Sequence, residues 1–272
     1  MSFALWTACL ATWAQAPQQR GVITASAQAG PLSTGAYYAL LIGIDRYQHL
    51  PALVTAVNDA KTVGEALSAR YGFRTEYLLD GEATRANVAN ALNRYRRSLA
   101  AGDNLLVYYA GHGQFDKETD KGYWLPADAD ADSTAYWVIA DEITADIRAM
   151  PARHVLIVSD SCYSGTLTRE GAAAILPTEH DAYVQKMLAS KSRTLMASGG
   201  KEPVSDSGSA GHSVFAAALL AGLNGIADKS FTAATLFEEY VRQQVAGGSN
   251  QAPQYDYIRA SGHEAGDFVF FL

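Results

Sequence analysis

The twelve residues from His154 to Gly165, HVLIVSDSCYSG, constrain this chain more than any other stretch. Val155 to Val158 are aliphatic and mostly β-branched, which suits a central strand covered on both faces. Small and polar residues follow at once, so Cys162 stands where a strand leaves its sheet. In open parallel sheets that carboxyl edge is where ligands bind. A second run has the same design: Asp103 to Tyr109 (DNLLVYY) leads into Ala110-Gly111-His112-Gly113. Two parallel strands of one sheet would bring a thiol and an imidazole to the same edge, the raw material of a Cys-His peptidase.

The order of elements around these runs predicts an α/β fold. Tyr38 to Ile44 is a short continuous apolar run ended by Asp45, and Pro51 marks the loop after it. A helix is expected from about Thr55 to Arg70, with Ala56, Ala60, Val63 and Leu67 on one face. Arg74 to Leu79 is the next strand, Thr84 caps, and Val88, Leu92, Tyr95 and Leu99 stripe a second helix. With the histidine strand the order is β-α-β-α-β, a parallel sheet with helices on its faces. Gln114 to Leu125 reads as a hairpin or loop. A helix from Asp141 to Met150 leads through Pro151 to the cysteine strand. After Gly165 a long connection, 166–192, precedes a strand at Arg193 to Ala197. Connections of that length are usually functional or mobile. Ser213 and Thr232 cap two further helices, and Phe268 to Leu272 is a last strand.

Residues 1–35 read as a leader and 36–272 as the folded domain. Residues 2–14 are apolar and uncharged, too short to span a bilayer, and Ala14-Gln15-Ala16 resembles a signal cleavage site, with Ala25-Ser26-Ala27 a second. Export is favoured over a cytoplasmic protein whose first helix packs on the domain. Removal of the leader would take Cys9 with it and leave Cys162 as a lone thiol. The formal net charge of -7 and the absence of a basic cluster argue against nucleic acid as a partner. Asp128, Asp130 and Asp132 alternate as in a calcium loop, but Ser133 and Ile139 stand where that loop needs Gly and Glu, so a solvated turn is expected and no metal is placed. G-x-S-x-G, the P-loop pattern and the dinucleotide fingerprint do not occur, which disfavours an α/β hydrolase or a nucleotide binder.

A thiol needs a base to become a nucleophile at neutral pH, and His112 is placed to be that base. The backbone N–H groups of Gly113 and Cys162 are the candidate oxyanion donors. Fifty residues separate His112 from Cys162, which agrees with the spacing of about 50 known for caspases. Tyr-Tyr-Ala-Gly-His112-Gly and Ser-Asp160-Ser-Cys162-Tyr-Ser-Gly resemble the two active-site motifs of the caspase superfamily, in its metacaspase-like (orthocaspase-like) branch. ALLIGID at the first strand, Val57-Asn58-Asp59-Ala60 and the terminal GDFVFF add to the resemblance, which covers about Tyr37 to Leu272.

The resemblance implies a caspase-like three-layer α/β/α sandwich around a six-stranded, mostly parallel sheet, with His112 and Cys162 as the catalytic dyad. It also implies a pocket formed by Asp59 and Asp160 for the P1 side chain, the residue before the cut. Two carboxylates would repel a P1 Asp and bind a guanidinium, so protein or peptide substrates cut after Arg, with Lys second, are expected. The competing reading of Asp59 is a helix-start carboxylate that satisfies backbone donors. Relatives of this kind often cut themselves after the cysteine, and Arg169, Lys186, Lys191 and Arg193 are the basic candidates there. No cofactor is required. Calcium activates some metacaspases, and its ligands are not placed in this sequence. The resemblance implies a monomer. The alternative function is a non-catalytic caspase-fold interaction module, against which the intact pair His112 and Cys162 counts.

Overall fold

The computed structural model describes Met1 and residues 34–161, 180–199 and 211–272. The signal-like segment, Cys9, Cys162 and Arg169 lie outside the described residues. Leu32–Leu272 group as one compact unit.

The first half of that unit alternates as its sequence pattern requires: β1 (Tyr37–Gly43), α1 (Ala56–Tyr71), β2 (Arg74–Leu79), α2 (Arg85–Ser98) and β3 (Asn104–Ala110). Gly72 closes α1 at φ 67°, a left-handed turn that sends its N–H back to the carbonyls of Leu67 and Ser68. Thr84 caps α2 by accepting from the Asn87 N–H. A small antiparallel sheet then interrupts the alternation, made of β4 (Gly113–Asp116), β5 (Lys121–Trp124) and β6 (Val138–Ile139). It holds the hairpin expected after His112. α3 (Ala140–Ala149) leads to β7 (His154–Asp160).

Beyond the cysteine come α4 (His180–Ala189), β8 (Ser192–Ala197), α5 (Val214–Gly225) and β9 (Ser230–Thr232). Next is a helix in two parts, α6 (Ala233–Leu236) and α7 (Arg242–Gly248), joined by a π turn at Phe237–Val241. The chain finishes with β10 (Gln254–Tyr257) and β11 (Val269–Phe271).

The central sheet has six strands in the order β10-β8-β7-β3-β1-β2, all parallel except β10, which runs antiparallel to β8. Alternate residues of each strand feed two cores. Leu41, Tyr108 and Val158 face one, covered by α1, α5 and the α6–α7 helix. Ile42, Val107 and Ile157 face the other, covered by α2 and α3. This is the expected three-layer sandwich. The last strand expected at Phe268 to Leu272 forms as β11 and pairs with β9, and the main sheet's edge next to β8 is the polar segment Gln254–Tyr257.

Arg193 corrects an expectation. The sequence suggested an accessible basic residue, whereas its side chain is fully buried in β8. Its guanidinium donates to the carbonyls of Ile147, Met150, Ala152, Arg153 and Ser192 at 2.7–3.0 Å. Burial pushes its pKa down to about 10, so it stays charged at neutral pH. A peptide bond locked inside a central strand is not a substrate, and Arg193 is withdrawn as a self-cleavage site. Lys186 is exposed on α4, and Lys191 is half-buried between α4 and β8.

At the start of β7, His154 is 1% exposed and its Nδ1 lies 2.9 Å from Ser192 Oγ. Burial pushes its pKa from 6.5 down to about 4. The unfolded chain therefore binds the proton more tightly, and this histidine's contribution to stability is present above pH 6.5 and lost as pH falls towards 4. Burial of the Asp267 carboxyl raises its pKa to about 6, which works in the opposite sense over much of that range, so the measurement is a comparison of two proteins. Urea unfolding at successive pH values is expected to show wild type losing about 3 kcal/mol relative to His154→Leu between pH 6.5 and pH 4. Parallel pH curves for the two proteins would contradict this assignment.

Candidate active site

The site is built on the carboxyl ends of β3 and β7. Their register pairs Ala110 with Asp160, and the Gly111 N–H extends the pairing by one bond to the Asp160 carbonyl at 3.3 Å. His112 follows Ala110 by two residues, and Cys162 follows Asp160 by two. The last described residue before the cysteine, Ser161, is buried, and its hydroxyl lies 3.0 Å from Ser159 Oγ.

His112 is held from three sides. Its N–H donates to the Tyr47 hydroxyl at 2.8 Å, and the two rings lie 4.7 Å apart between centroids. Its carbonyl accepts from the Leu125 N–H at 3.0 Å and from the Tyr109 hydroxyl at 2.7 Å. Its Nε2 lies 2.9 Å from the Pro51 carbonyl. A carbonyl only accepts, so Nε2 carries the hydrogen and the neutral ring presents Nδ1 as its basic nitrogen. That is the tautomer a general base needs if the thiol approaches from the Nδ1 side.

The partners of His112 are themselves anchored. The loop from β1 to α1 carries Tyr47 and Pro51. It is tied down by the Ile44 N–H to the Ala110 carbonyl and the Gln48 N–H to the Ala127 carbonyl. The Asp80 carboxylate also receives the N–H groups of Asp45 and Arg46 at 2.9 Å. Trp124 of β5 stacks on Tyr109 at 4.4 Å between ring centroids and donates its indole N–H to Ser159 at 3.1 Å. The small sheet thus fixes the far side of the histidine. Gly113, the candidate oxyanion donor, is half-buried and opens β4 directly after His112.

Asp59 and Asp160 meet at the N-terminus of α5. Asp59, in the first turn of α1, has no exposed surface, and Asp160 is 5% exposed. Ser213 links them. Its N–H donates to Asp59 Oδ2 at 3.2 Å and its hydroxyl donates to Asp160 Oδ2 at 2.5 Å, while its Oγ also accepts the Ala216 N–H as the cap of α5. His212 Nδ1 lies 2.6 Å from Asp59 Oδ1. Burial pushes the Asp59 carboxyl above the usual carboxylate range, against the bonds from His212 and Ser213 that favour its charge. Burial, with the two carboxylates nearby, likewise raises the Tyr108 hydroxyl. The backbone donor that Asp59 satisfies belongs to α5, not to its own helix. Asp59 thus binds a backbone donor, as the helix-start reading expects though from another helix, and Ser213 joins it to Asp160.

Tyr47, Pro51, Trp124, His212 and the second role of Ser213 were not anticipated. Ser213 was legible as a helix cap; nothing in one sequence says that its hydroxyl also reaches Asp160. The aspartates at 128, 130 and 132 form a turn: Asp128 accepts from the Arg85 N–H and Asp130 from the Asp132 N–H. Among the described residues no helix is long and apolar enough to cross a membrane.

The imidazole is thus fixed just beyond the end of β3, next to the end of β7 in a caspase-like sheet. Comparison with known proteins agrees: the caspase domain model matches residues 36–261, and the chain belongs to that family. It is 32% identical over 157 residues to Metacaspase-1 of Cryptococcus neoformans var. neoformans serotype D (strain B-3501A), which covers 49% of this chain and 33% of that protein. It is also 32% identical over 155 residues to Metacaspase-6 of Arabidopsis thaliana, covering 50% and 40%. The matched region is thus well under half the length of either relative. In structure it resembles Caspase-1 from Spodoptera frugiperda, with TM-score 0.59 and 13% identity over 84% of this chain and 89% of the other. A protein from Geobacter sulfurreducens gives TM-score 0.58 and 19% identity over 85% and 97%. At these identities the two structures speak for the fold alone.

The packing makes one further demand. A Cβ at Gly111 would stand 2.7 Å from the Tyr47 hydroxyl and 2.9 Å from the Tyr109 hydroxyl, the two groups that position His112. Gly111→Ala is expected to lower kcat/KM on a peptide substrate by about 100-fold, because a displacement near 1 Å costs that much in a positioned catalytic group. An active Gly111→Ala enzyme would show that these tyrosines do not set the histidine.

Proposed function

We propose that this chain is an endopeptidase that cuts after Arg, and second after Lys, by a Cys-His dyad. The observation that carries the reading is the β3–β7 register with the two carboxylates gathered beside it. His112 and Cys162 each follow the paired residues Ala110 and Asp160 by two positions, and Asp160 shares Ser213 with Asp59.

The chemistry follows from the groups named. His112 Nδ1 takes the proton of the Cys162 thiol, and the thiolate attacks the scissile carbonyl carbon. The N–H groups of Gly113 and Cys162 receive the oxyanion of the tetrahedral intermediate. As it collapses, His112 returns the proton to the leaving amine and the acyl group stays on sulfur. Water, activated by the same imidazole, then hydrolyses the thioester. The Pro51 carbonyl stabilises the imidazolium formed in each half-reaction by accepting its Nε2–H. Nucleophile, base and oxyanion donors are all protein groups, so the reaction as written needs no cofactor. Asp59 and Asp160 supply charge-assisted acceptors for a P1 guanidinium. The substrates are proteins or peptides, and the working unit is a monomer. If the chain processes itself, Arg169 is the favoured cut point, because Lys186 lies in a helix that must unwind to enter an extended substrate site and the bond after Lys191 leads into Ser192, buried at the start of β8.

The test is hydrolysis of fluorogenic peptides with P1 Arg, Lys, Asp and Ala by wild type, Cys162→Ala and Asp160→Asn, each with and without calcium. Arg and Lys peptides are expected to be cut, with activity lost in Cys162→Ala and KM for P1 Arg raised about tenfold or more in Asp160→Asn. Intact-mass spectra of the same incubations show whether the chain cuts itself. A preference for P1 Asp would end the specificity reading. No turnover, together with no labelling of Cys162 by an Arg-ketone probe, would favour the interaction module.

A further inference from the structure

The carboxylate pair already has an occupant. His212 is mostly enclosed, with 17% of its side chain exposed, and its Nδ1 meets Asp59 Oδ1 at 2.6 Å while the Asp59 side chain is 1% exposed. The backbone that carries it is fixed on both sides. Asn58 Nδ2 donates to the Gly211 carbonyl at 2.9 Å, and the Ser213 N–H donates to the other Asp59 oxygen. Among the described residues, the groups facing this imidazole are Asp59 and Asn58 from α1, with Asp160 of β7 reached through Ser213 and the neutral Tyr108 hydroxyl of β3 behind both carboxylates.

We infer that His212 is a specificity-determining residue: an internal partner that holds Asp59 and must yield it to the basic P1 side chain. The inference rests on the P1 Arg/Lys reading above. The physics is one of exchange. A buried carboxylate is costly without a partner, and the His212 ring 2.6 Å away offsets that cost in the free enzyme. An arriving guanidinium offers Asp59 a permanent charge and more donors in a planar fork, and its hydrogen bonds can extend to Asp160. P1 binding is therefore a replacement of one partner by another, not the filling of an empty anionic hole. A neutral or acidic P1 side chain cannot displace it, which sharpens discrimination beyond what two bare carboxylates would give.

The test compares wild type, His212→Gln and His212→Lys on the P1 Arg peptide, with kcat and KM measured separately. KM is expected to fall about threefold in His212→Gln, whose amide holds Asp59 less tightly, and to rise about tenfold in His212→Lys, whose ammonium competes directly with the P1 cation. The effect should fall on KM rather than on kcat. A purely structural histidine would change stability or kcat and leave KM in place, so equal KM values for the three proteins overturn the inference. If wild type cuts after Arg and the KM values coincide, only this inference fails. If it cuts other peptides and neither Arg nor Lys, the P1 reading fails and takes this one with it. If no peptide is turned over, NMR of Cys162→Ala decides: benzamidine is expected to shift the His212 ring signals, and unmoved signals at saturating benzamidine overturn the inference.

Discussion

The parallel pairing of β3 with β7 is the constraint on which the rest of this molecule depends. Both strands are buried along their whole length, so their side chains are committed to two different cores. A slip of one residue would exchange every one of those commitments, which makes the register a matter of the entire core rather than of a few hydrogen bonds. Because Ala110 is locked opposite Asp160, the segment that leads to His112 leaves the sheet level with the end of β7. The same register turns Asp160 towards the α1–α5 side, where Ser213 meets it, while its neighbour Ser159 faces Trp124 on the other. One pairing thus separates a histidine side from a carboxylate side.

Each side is then fixed by polar groups at the ends of apolar elements. On the histidine side two tyrosine hydroxyls, a proline carbonyl and the Leu125 N–H hold a single histidine and its backbone. On the carboxylate side one serine serves at once as helix cap and as donor to two carboxylates. Leaving any of these buried groups unpartnered costs more than forming the bond gains, so the arrangement resists piecemeal change.

Much of this was legible. Continuous aliphatic runs marked β1, β3 and β7, and Thr84, Ser213 and Thr232 announced their helices as caps do. The histidine could be placed beyond a strand end because the residue types change abruptly there. What failed has physical reasons. QYDY carries no aliphatic run, since an edge strand needs few core residues, so β10 was not read as a strand. The terminal GDFVFF was legible as a strand but its partner β9 was not, because hydrophobicity tells that a strand is buried but not which strand it pairs with. Arg193 was taken for a surface residue because burial of an arginine requires a set of acceptors drawn from distant chain positions, here mainly 147–153. For the same reason a cap such as Ser213 was visible while its tie to Asp160, 53 residues away, was not.

The five carbonyls around Arg193 also bear on how this sequence can drift over evolutionary time. They belong to the main chain, and a main-chain oxygen is supplied by any residue that follows the same path. The segment from Ile147 to Arg153 is therefore free to exchange many of its side chains while it keeps its trace, whereas position 193 tolerates no other residue with five donors in one plane. Among descendants of this chain, an unchanging arginine should stand opposite a variable loop. Neither column alone would tell a reader of such sequences that the two are joined.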